Sequence, residues 1–269
     1  MKLSKASKIL RDAGIESARH DASEIFEHLL GVSKAELLLS DPETSDERVI
    51  RAIERRAGRE PLQYILGKAY FYNEVYEVNE SVLIPRSDTE MLVEYAVKNI
   101  PEGKRFLDLC TGSGCVGIST LKNTRSTSAV LVDISADALA VAKRNAELNG
   151  VLDRAEFLRA DVMSEALDGE FFAVISNPPY VKPSAYSKLE AEIFREPKIA
   201  FLGGEDGCDF YRELTKQYKS RISNDGFIAY EIGYDQADDL MKIAECEGLC
   251  CKIIKDYSGN DRVAVLTRS

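Results

Sequence analysis

The sequence predicts an α/β fold: an open, mostly parallel seven-stranded sheet, preceded by a small all-α domain and a β-hairpin linker. Three observations predict it. From residue 104 onward, short apolar runs alternate with helix-periodic segments, the pattern of parallel strands with helices on both faces. A glycine-rich turn, Gly112-Ser113-Gly114 with Gly117 beyond it, follows the first run. Asn177-Pro178-Pro179-Tyr180 follows the fourth, and two prolines, each without an N–H and with φ locked, cannot continue a central strand. Both loops fall at the carboxyl edge of the sheet, where open α/β folds bind ligands.

The elements follow in chain order. Residues 1–66 read as short helices. In Asp21–Leu30 the apolar residues Ala22, Ile25, Phe26, Leu29 and Leu30 recur at helical spacing before Gly31. Val49, Ile50, Ile53 and Ala57 repeat the pattern between Ser45, read as an N-cap, and Gly58. Tyr70–Val82, rich in aromatic and β-branched residues with a turn signal at Asn73, reads as the hairpin of the 67–84 linker. A helix over Met91–Val97 opens the 85–269 domain. Strands are predicted at Arg105–Leu109, Ala129–Asp133, Glu156–Arg159, Phe172–Ile175, Phe227–Glu231, Lys252–Lys255 and Val263–Thr267. Helices are predicted at Cys115–Lys122, Ala136–Asn149 and Tyr234–Glu247. The last two strands have only a short link, so they read as antiparallel neighbours at one edge.

Composition narrows the function. A net charge of -10 argues against a protein that grips nucleic acid through its phosphates. No apolar run reaches the length of a membrane span, and Met1-Lys2-Leu3-Ser4-Lys5 lacks a signal-peptide core; the expectation is a cytoplasmic protein. The six cysteines form no CxxC pair and read as small buried hydrophobes in a reducing compartment. With only His20 and His28, both in the helical region, histidine catalysis and most metal sites drop out, and no metal is expected.

Gly112, Gly114 and Gly117 match a dinucleotide fingerprint, but S-adenosylmethionine competes with a nicotinamide cofactor for such a turn. Asp108, four residues before Gly112, favours the former, because a carboxylate there suits an ammonium better than a pyrophosphate. Asp133 ends the second strand where a ribose-binding acid belongs, and suits either cofactor. Asp161-Val162, after the third strand, reads either as an adenine contact or as a solvated turn. At Asn177–Tyr180 the asparagine and a prolyl carbonyl can each accept one N–H of a planar –NH2 group, with the tyrosine ring against its flat face. A methyl donor beside such a grip is the layout of an N-methyltransferase.

Over nearly its whole length the chain resembles the bacterial protein-(glutamine-N5) methyltransferases that modify class 1 peptide-chain release factors. The resemblance is carried by Pro61–Gly67, Val82–Arg86 with Thr89-Glu90, Asp108–Gly114, Asn177–Tyr180, Glu196-Pro197, Ala200-Phe201, Gly203-Gly204, Asp206-Gly207, Tyr211-Arg212, Glu231–Gly233 and Gly259–Val263. It implies a Rossmann-like class I S-adenosylmethionine-dependent methyltransferase domain over 85–269 and a substrate-recognition domain over 1–66. It implies cofactor binding by Asp108, Cys110, Thr111, Gly112, Ser113, Gly114, Asp133, Asp161, Val162 and Asn177. It further implies that Asn177, Pro178, Pro179 and Tyr180 hold the substrate, with Asn177, Pro178 and Tyr180 catalytic, and that the partner is a class 1 release factor, methylated on the glutamine of its Gly-Gly-Gln motif. No stable nucleic-acid partner and no membrane are implied.

The chain departs from the family in three places. Cys110 stands at the first glycine of the turn, Pro85–Glu90 reads Pro-Arg-Ser-Asp-Thr-Glu rather than Pro-Arg-Pro-Glu-Thr-Glu, and Val162 replaces a frequent aromatic. Ser87 leans toward a sister activity, glutamine methylation of a ribosomal protein. Methylation of an exocyclic amine in DNA or RNA is opposed by the acidic balance, and a binding module without turnover by the intact Asp108, Asp133 and Asn177.

Overall fold

The computed structural model describes residues 1–164 and 166–268, which form two units. The first comprises Met1–Lys68 together with Glu190–Arg195, and the second Ala69–Leu189 with Glu196–Ser269.

The first unit contains α1 (Leu3–Asp12), α2 (Ala18–Leu30), α3 (Lys34–Leu39), α4 (Glu47–Ala57) and α5 (Leu62–Leu66). Leu3, Ala6, Ser7 and Leu10 recur on one face of α1 and are buried against Ala22, Ile25 and Phe26 of α2 and Val49 and Ile53 of α4. Gly31 ends α2 in the left-handed conformation, φ 69°. The cap of α4 is Asp46 rather than the expected Ser45: its carboxylate accepts the Arg48 N–H. His20 and His28 sit exposed on α2.

Arg55, Arg56 and Arg59, a basic cluster easily read as solvated surface, includes the unit's buried ionic centre. Arg56 is 7% exposed and its guanidinium lies 2.7 Å from Asp21, itself 3% exposed, and 2.9 Å from Glu192. Arg59 lies 3.1 Å from the second oxygen of Glu192. The 190–195 segment therefore completes a charge network that the first 68 residues begin.

In the second unit, β1 (Lys68–Phe71) and β2 (Glu74–Glu77) form the hairpin, with Tyr72 and Asn73 both at positive φ (50° and 66°), as a tight two-residue turn requires. Then come α6 (Glu90–Asn99), β3 (Arg105–Leu109), α7 (Cys115–Lys122), β4 (Ser128–Asp133), α8 (Ala136–Leu148), β5 (Ala155–Arg159) and β6 (Phe171–Ser176). The chain continues through α9 (Pro183–Tyr186), α10 (Asp209–Tyr218), β7 (Ile222–Glu231), α11 (Ala237–Cys246), β8 (Leu249–Lys255) and β9 (Asp261–Arg268).

The seven-stranded order is β5-β4-β3-β6-β7-β9-β8, parallel except for β9, which is antiparallel to both neighbours. The final pair is antiparallel as expected, but β9 lies inside and only β8 forms the edge. Alternation sorts the core into two layers: Phe106, Leu131, Ala173 and Ile175 face one side, Leu107, Val130 and Val174 the other. α11 starts three residues later than its pattern suggests. Gln236 is the reason: its Oε1 accepts the Gly233 N–H at 2.9 Å and its Nε2 donates to the Gly207 carbonyl at 3.1 Å, holding 233–236 as a turn. Two cysteine expectations fail, since Cys246 and Cys250 are exposed rather than buried. The first lies on the outer face of α11 and the second on the edge strand.

The buried pair in the helical unit yields a test. Arg56→Ala strands Asp21 without its partner and should cost about 3–5 kcal/mol, whereas Asp21→Asn/Arg56→Met should cost much less. Urea melts of the two variants against the parent check the difference.

Candidate active site

The carboxyl ends of β4, β3 and β6 stand side by side and open on a cavity of about 280 Å³. β3 leads into the turn 110–114, where three residues have positive φ: Cys110 (59°), Gly112 (55°) and Gly114 (82°). Holding Cys110 there costs about 1–2 kcal/mol relative to glycine, so the family departure at this position is a strained one. Its thiol lies in the cavity wall, and burial with Asp133 and Asp108 nearby pushes its pKa up, so it stays a thiol.

Asp108 sits behind this turn. It is 1% exposed, and its Oδ2 accepts the Thr111 hydroxyl at 2.5 Å and the Gly117 N–H at 2.9 Å. A Cβ on Gly117 would fall 2.8 Å from that oxygen, so the carboxylate reaches the first turn of α7 only because residue 117 is glycine. Burial pushes the Asp108 carboxyl up to about 7, against the pull of those two hydrogen bonds and with the Asp133 charge adding to the rise. Asp108 braces the turn from beneath and is not among the residues that line the cavity.

Asp133 does line it. Its Oδ2 accepts the Gly112 N–H and its Oδ1 the Ser135 N–H, both at 2.9 Å, which ties the β4 end to the β3 turn. Burial raises its pKa, opposed by these N–H donors. Asp161 is exposed and folds its carboxylate onto the Met163 N–H and the Ser164 hydroxyl, a turn that nonetheless borders the cavity beside buried Val162.

On the other side, the Ser176 hydroxyl pins the β6 end to the Leu109 carbonyl at 2.5 Å, and the chain turns at Pro178. Asn177 and Pro179 line the cavity; Pro178 is buried beside them and Tyr180 is half-buried. The loop 201–208 is pressed onto this corner. A Cβ on Gly203 would lie 2.5 Å from the Pro179 carbonyl oxygen, and Gly207 meets the Tyr180 carbonyl in the same way. Val181 donates to Phe201 at 2.7 Å and Gly203 donates back to Val181 at 3.1 Å. Asn177 Nδ2 donates to Thr89 Oγ1 at 3.2 Å, and the Tyr180 hydroxyl donates to Glu231 Oε1 at 3.1 Å.

Of the residues nominated from sequence, Cys110, Gly112, Asp133, Asp161, Val162, Asn177 and Pro179 share the cavity wall. Asp108, Thr111, Ser113, Gly114, Pro178 and Tyr180 are not among the lining residues, though each adjoins one that is or stands close to it in sequence. Sequence reasoning missed the wall formed by Glu80–Leu83 and by Pro197, Ile199 and Ala200. Glu196 joins these two segments, accepting the Ile84 N–H at 2.9 Å and pairing with Arg86. The signal was present in Val82–Arg86 and Glu196-Pro197, which carry the resemblance without an obvious chemical role. A second groove of about 470 Å³, between α10 and α11, is lined by Arg212, Lys216 and Lys242 interleaved with Glu213, Asp239 and Glu247, and no set of groups converges in it.

Comparison with known proteins fits this geometry. Residues 2–67 match the PrmC N-terminal domain, and residues 87–202 match the methyltransferase small domain. The release factor glutamine methyltransferase of Thermodesulfovibrio yellowstonii is 39% identical over 93% of this chain and 92% of its own length. That of Clostridium acetobutylicum is 34% identical over 99% of this chain and 97% of its own. Among solved structures, the hMettl16 catalytic domain in complex with a 3'UTR hairpin aligns with a TM-score of 0.58 over 82% of this chain and 81% of that one. At 12% identity, that likeness speaks to the fold alone. With two domain matches in the right order and end-to-end identity at this level, the chain belongs to the release factor glutamine methyltransferase family.

Proposed function

We propose that this protein transfers a methyl group from S-adenosylmethionine to the side-chain amide nitrogen, N5, of the glutamine in the Gly-Gly-Gln motif of class 1 release factors, in the cytoplasm. The observation that carries the reading is that Asn177 and Asp133 open on one cavity from β6 and β4, with the glycine-rich turn of β3 between them.

The residues suit the cofactor. Each Asp133 oxygen has a lone pair left after accepting one backbone N–H, enough for a ribose hydroxyl. Val162 offers an apolar flank to a purine, and the Asp161 turn borders it. Asp108 puts a carboxylate beneath the turn, where it acts on a cationic group through field rather than contact. When bound, S-adenosylmethionine supplies an electrophilic methyl group on a sulfonium sulfur.

The chain's own part is positioning. A carboxamide nitrogen is a poor nucleophile, its lone pair being shared with the carbonyl. Asn177 Oδ1 and the Pro178 carbonyl accept its two N–H bonds and fix the direction of that lone pair. The Tyr180 ring, held by its hydroxyl on Glu231, packs on the amide plane. Effective molarities of about 10⁵ M for oriented reactants make alignment the largest contribution. The proton leaves after transfer, when the nitrogen is acidic, so water suffices as acceptor.

The helical unit is assigned to recognition of the release factor. On α3, Leu38 and Leu39 are 83% and 89% exposed, adjacent apolar side chains that a protein partner would cover. Leu38→Ser/Leu39→Ser should raise KM for the release factor about tenfold and leave cofactor affinity alone, as steady-state kinetics with each substrate varied would measure.

The direct experiment is peptide mass spectrometry after incubation with S-adenosylmethionine and unmodified release factor. One methyl on the Gly-Gly-Gln glutamine is expected; modification elsewhere, or on a ribosomal protein instead, overturns the reading. Asn177→Ala should cut kcat by roughly 10²-fold or more with cofactor binding little changed, while Asp133→Ala should weaken cofactor binding first.

Asp108 adds a pH signature. Because its folded-state carboxyl is raised from 3.8 to about 7, ionisation opposes folding and stability falls as pH rises through that window. Asp108→Asn should flatten the dependence of Tm between pH 5 and 8. In the parent protein, cofactor binding should tighten from pH 6 to 8 and release a proton, read by calorimetry in buffers of different ionisation enthalpy.

A further inference from the structure

A fully buried asparagine inside a helix needs an explanation, because its amide gives up its hydrogen bonds to water and asparagine is a poor helix former. Asn145 is such a residue. It lies on the apolar face of α8 among Ala138, Ala142 and Ala146, and it is 0% exposed. Its Oδ1 accepts the Glu77 N–H at 2.6 Å, while its Nδ2 donates to the Glu77 carbonyl at 3.0 Å and to the Ser113 carbonyl at 2.9 Å. The orientation is unambiguous, since the flipped amide would set N–H against N–H and oxygen against two carbonyls.

Both partners lead into the wall of the cofactor cavity. Ser113 sits in the turn between Gly112 and Gly114, whose φ values are 55° and 82°. The peptide that joins Ser113 to Gly114 is held at both ends: its carbonyl accepts from Asn145, and its N–H donates to the Thr111 carbonyl at 2.8 Å. Glycines flank that peptide, so Asn145 pins the turn where the backbone has most freedom. Glu77 ends β2, and three residues later the wall segment Glu80–Leu83 begins. That segment starts in a turn which Asn79 closes on the Ser81 and Val82 N–H groups at 2.9 and 3.2 Å. α8 also meets the glycine turn at Ala142, 3.1 Å from where a Cβ on Gly114 would fall, and it lines the cavity with Ala138. Ala138, Ala142 and Asn145 therefore follow one stripe of the helix, from the cavity to the hairpin.

We infer that Asn145 is a positioning residue for cofactor binding: by holding Ser113 and Glu77 on one amide, it sets the spacing between the glycine turn and the Glu80–Leu83 wall. A ligand that orders the turn then also steadies the end of β2, and the reverse follows by linkage. This rests on the cavity being the S-adenosylmethionine site, and not on which amide receives the methyl group. Two other side chains of α8 bond to the hairpin rather than to the turn. Arg144 Nε donates to Glu77 Oε2 at 2.8 Å on the surface, and Asn149 Nδ2 donates to the Val75 carbonyl at 3.0 Å. Asn149 supplies the control.

The test uses the full-length protein with Asn145→Leu, Asn145→Asp and Asn149→Ala. Leucine is close in size and removes all three bonds; aspartate keeps the acceptor for Glu77 and removes both donors. Calorimetric titration with S-adenosylmethionine should give a Kd about tenfold above the parent for each Asn145 variant, and within about twofold for Asn149→Ala. At saturating cofactor, kcat on the release factor should stay within about twofold of the parent, because the groups that meet the substrate amide are untouched. The second readout is hydrogen exchange at the Glu77 amide, under conditions where it exchanges by local opening. Saturating cofactor should slow it about tenfold in the parent and in Asn149→Ala, and leave it unchanged in Asn145→Leu. An unchanged Kd in either folded Asn145 variant, an equal weakening by Asn149→Ala, or equal cofactor protection of Glu77 in the parent and Asn145→Leu would each overturn the inference. A Glu77 amide indifferent to cofactor in the parent would do so without any variant. A parent that binds no S-adenosylmethionine would overturn the cofactor reading of the cavity as well, whereas the other outcomes leave that reading standing.

Discussion

The site depends on where β6 stops. Pro178 and Pro179 offer no N–H to a neighbouring strand, so the most buried strand of the sheet ends abruptly while β3 and β7 stand on either side of it. A strand that ends freely would fray. This one is clamped by Ser176 on the Leu109 carbonyl, by the reciprocal bonds of Val181 with the 201–203 loop, and by two glycines pressed onto the Pro179 and Tyr180 carbonyls. Backbone contacts this close leave the corner no room to relax. Groups that must present lone pairs along fixed directions are therefore carried by the stiffest part of the sheet, not by a mobile loop.

The electrostatics follow the same division between wall and support. Asp133 faces the cavity with both oxygens tied to backbone N–H groups, so it is oriented without being fully occupied. Asp108 and Glu231 are buried behind the wall, where desolvation disfavours their charge. Each is retained at some cost to stability, and each touches a loop that a ligand must meet. Carboxyls whose pKa burial raises, set beside a cleft, are a signature of functional sites.

Much of this was legible in the sequence, and the boundary of legibility is physical. Arg105–Leu109 is the strand its apolar run predicts, and β4, β5 and β6 each differ from expectation by a residue or two. Period-two burial and proline chemistry are local signals. The first half of β7 was not legible, because Asn224-Asp225-Gly226 reads as a turn; it lies where the pairing with β6 is irregular, between Ile222 opposite Phe171 and Phe227 opposite Ala173. α10 was missed although Tyr211, Leu214, Thr215 and Tyr218 form a helical stripe, since its tyrosines and polar residues blur the apolar face. In the site, the glycine turn, Asp133 and the Asn-Pro-Pro-Tyr corner announced themselves through residue type. Glu231 did not, because the group it holds, the Tyr180 hydroxyl, lies 51 residues away in sequence. The burial of Arg56 was hidden for the same reason: its partners, Asp21 and Glu192, lie 35 and 136 residues from it in sequence.

That last arrangement bears on how the protein is made. The helical unit is not a contiguous stretch of chain, since Glu190–Arg195 emerges roughly 120 residues after Lys68. At ribosomal speeds of about 5–20 residues per second, the helices wait on the order of ten seconds before Glu192 exists to meet Arg56. During that interval Asp21 alone neutralises a buried guanidinium. The helical unit thus reaches its final form only after the six strand segments β1–β6 have been synthesised, and a gene cut after residue 68 would encode an unfinished domain.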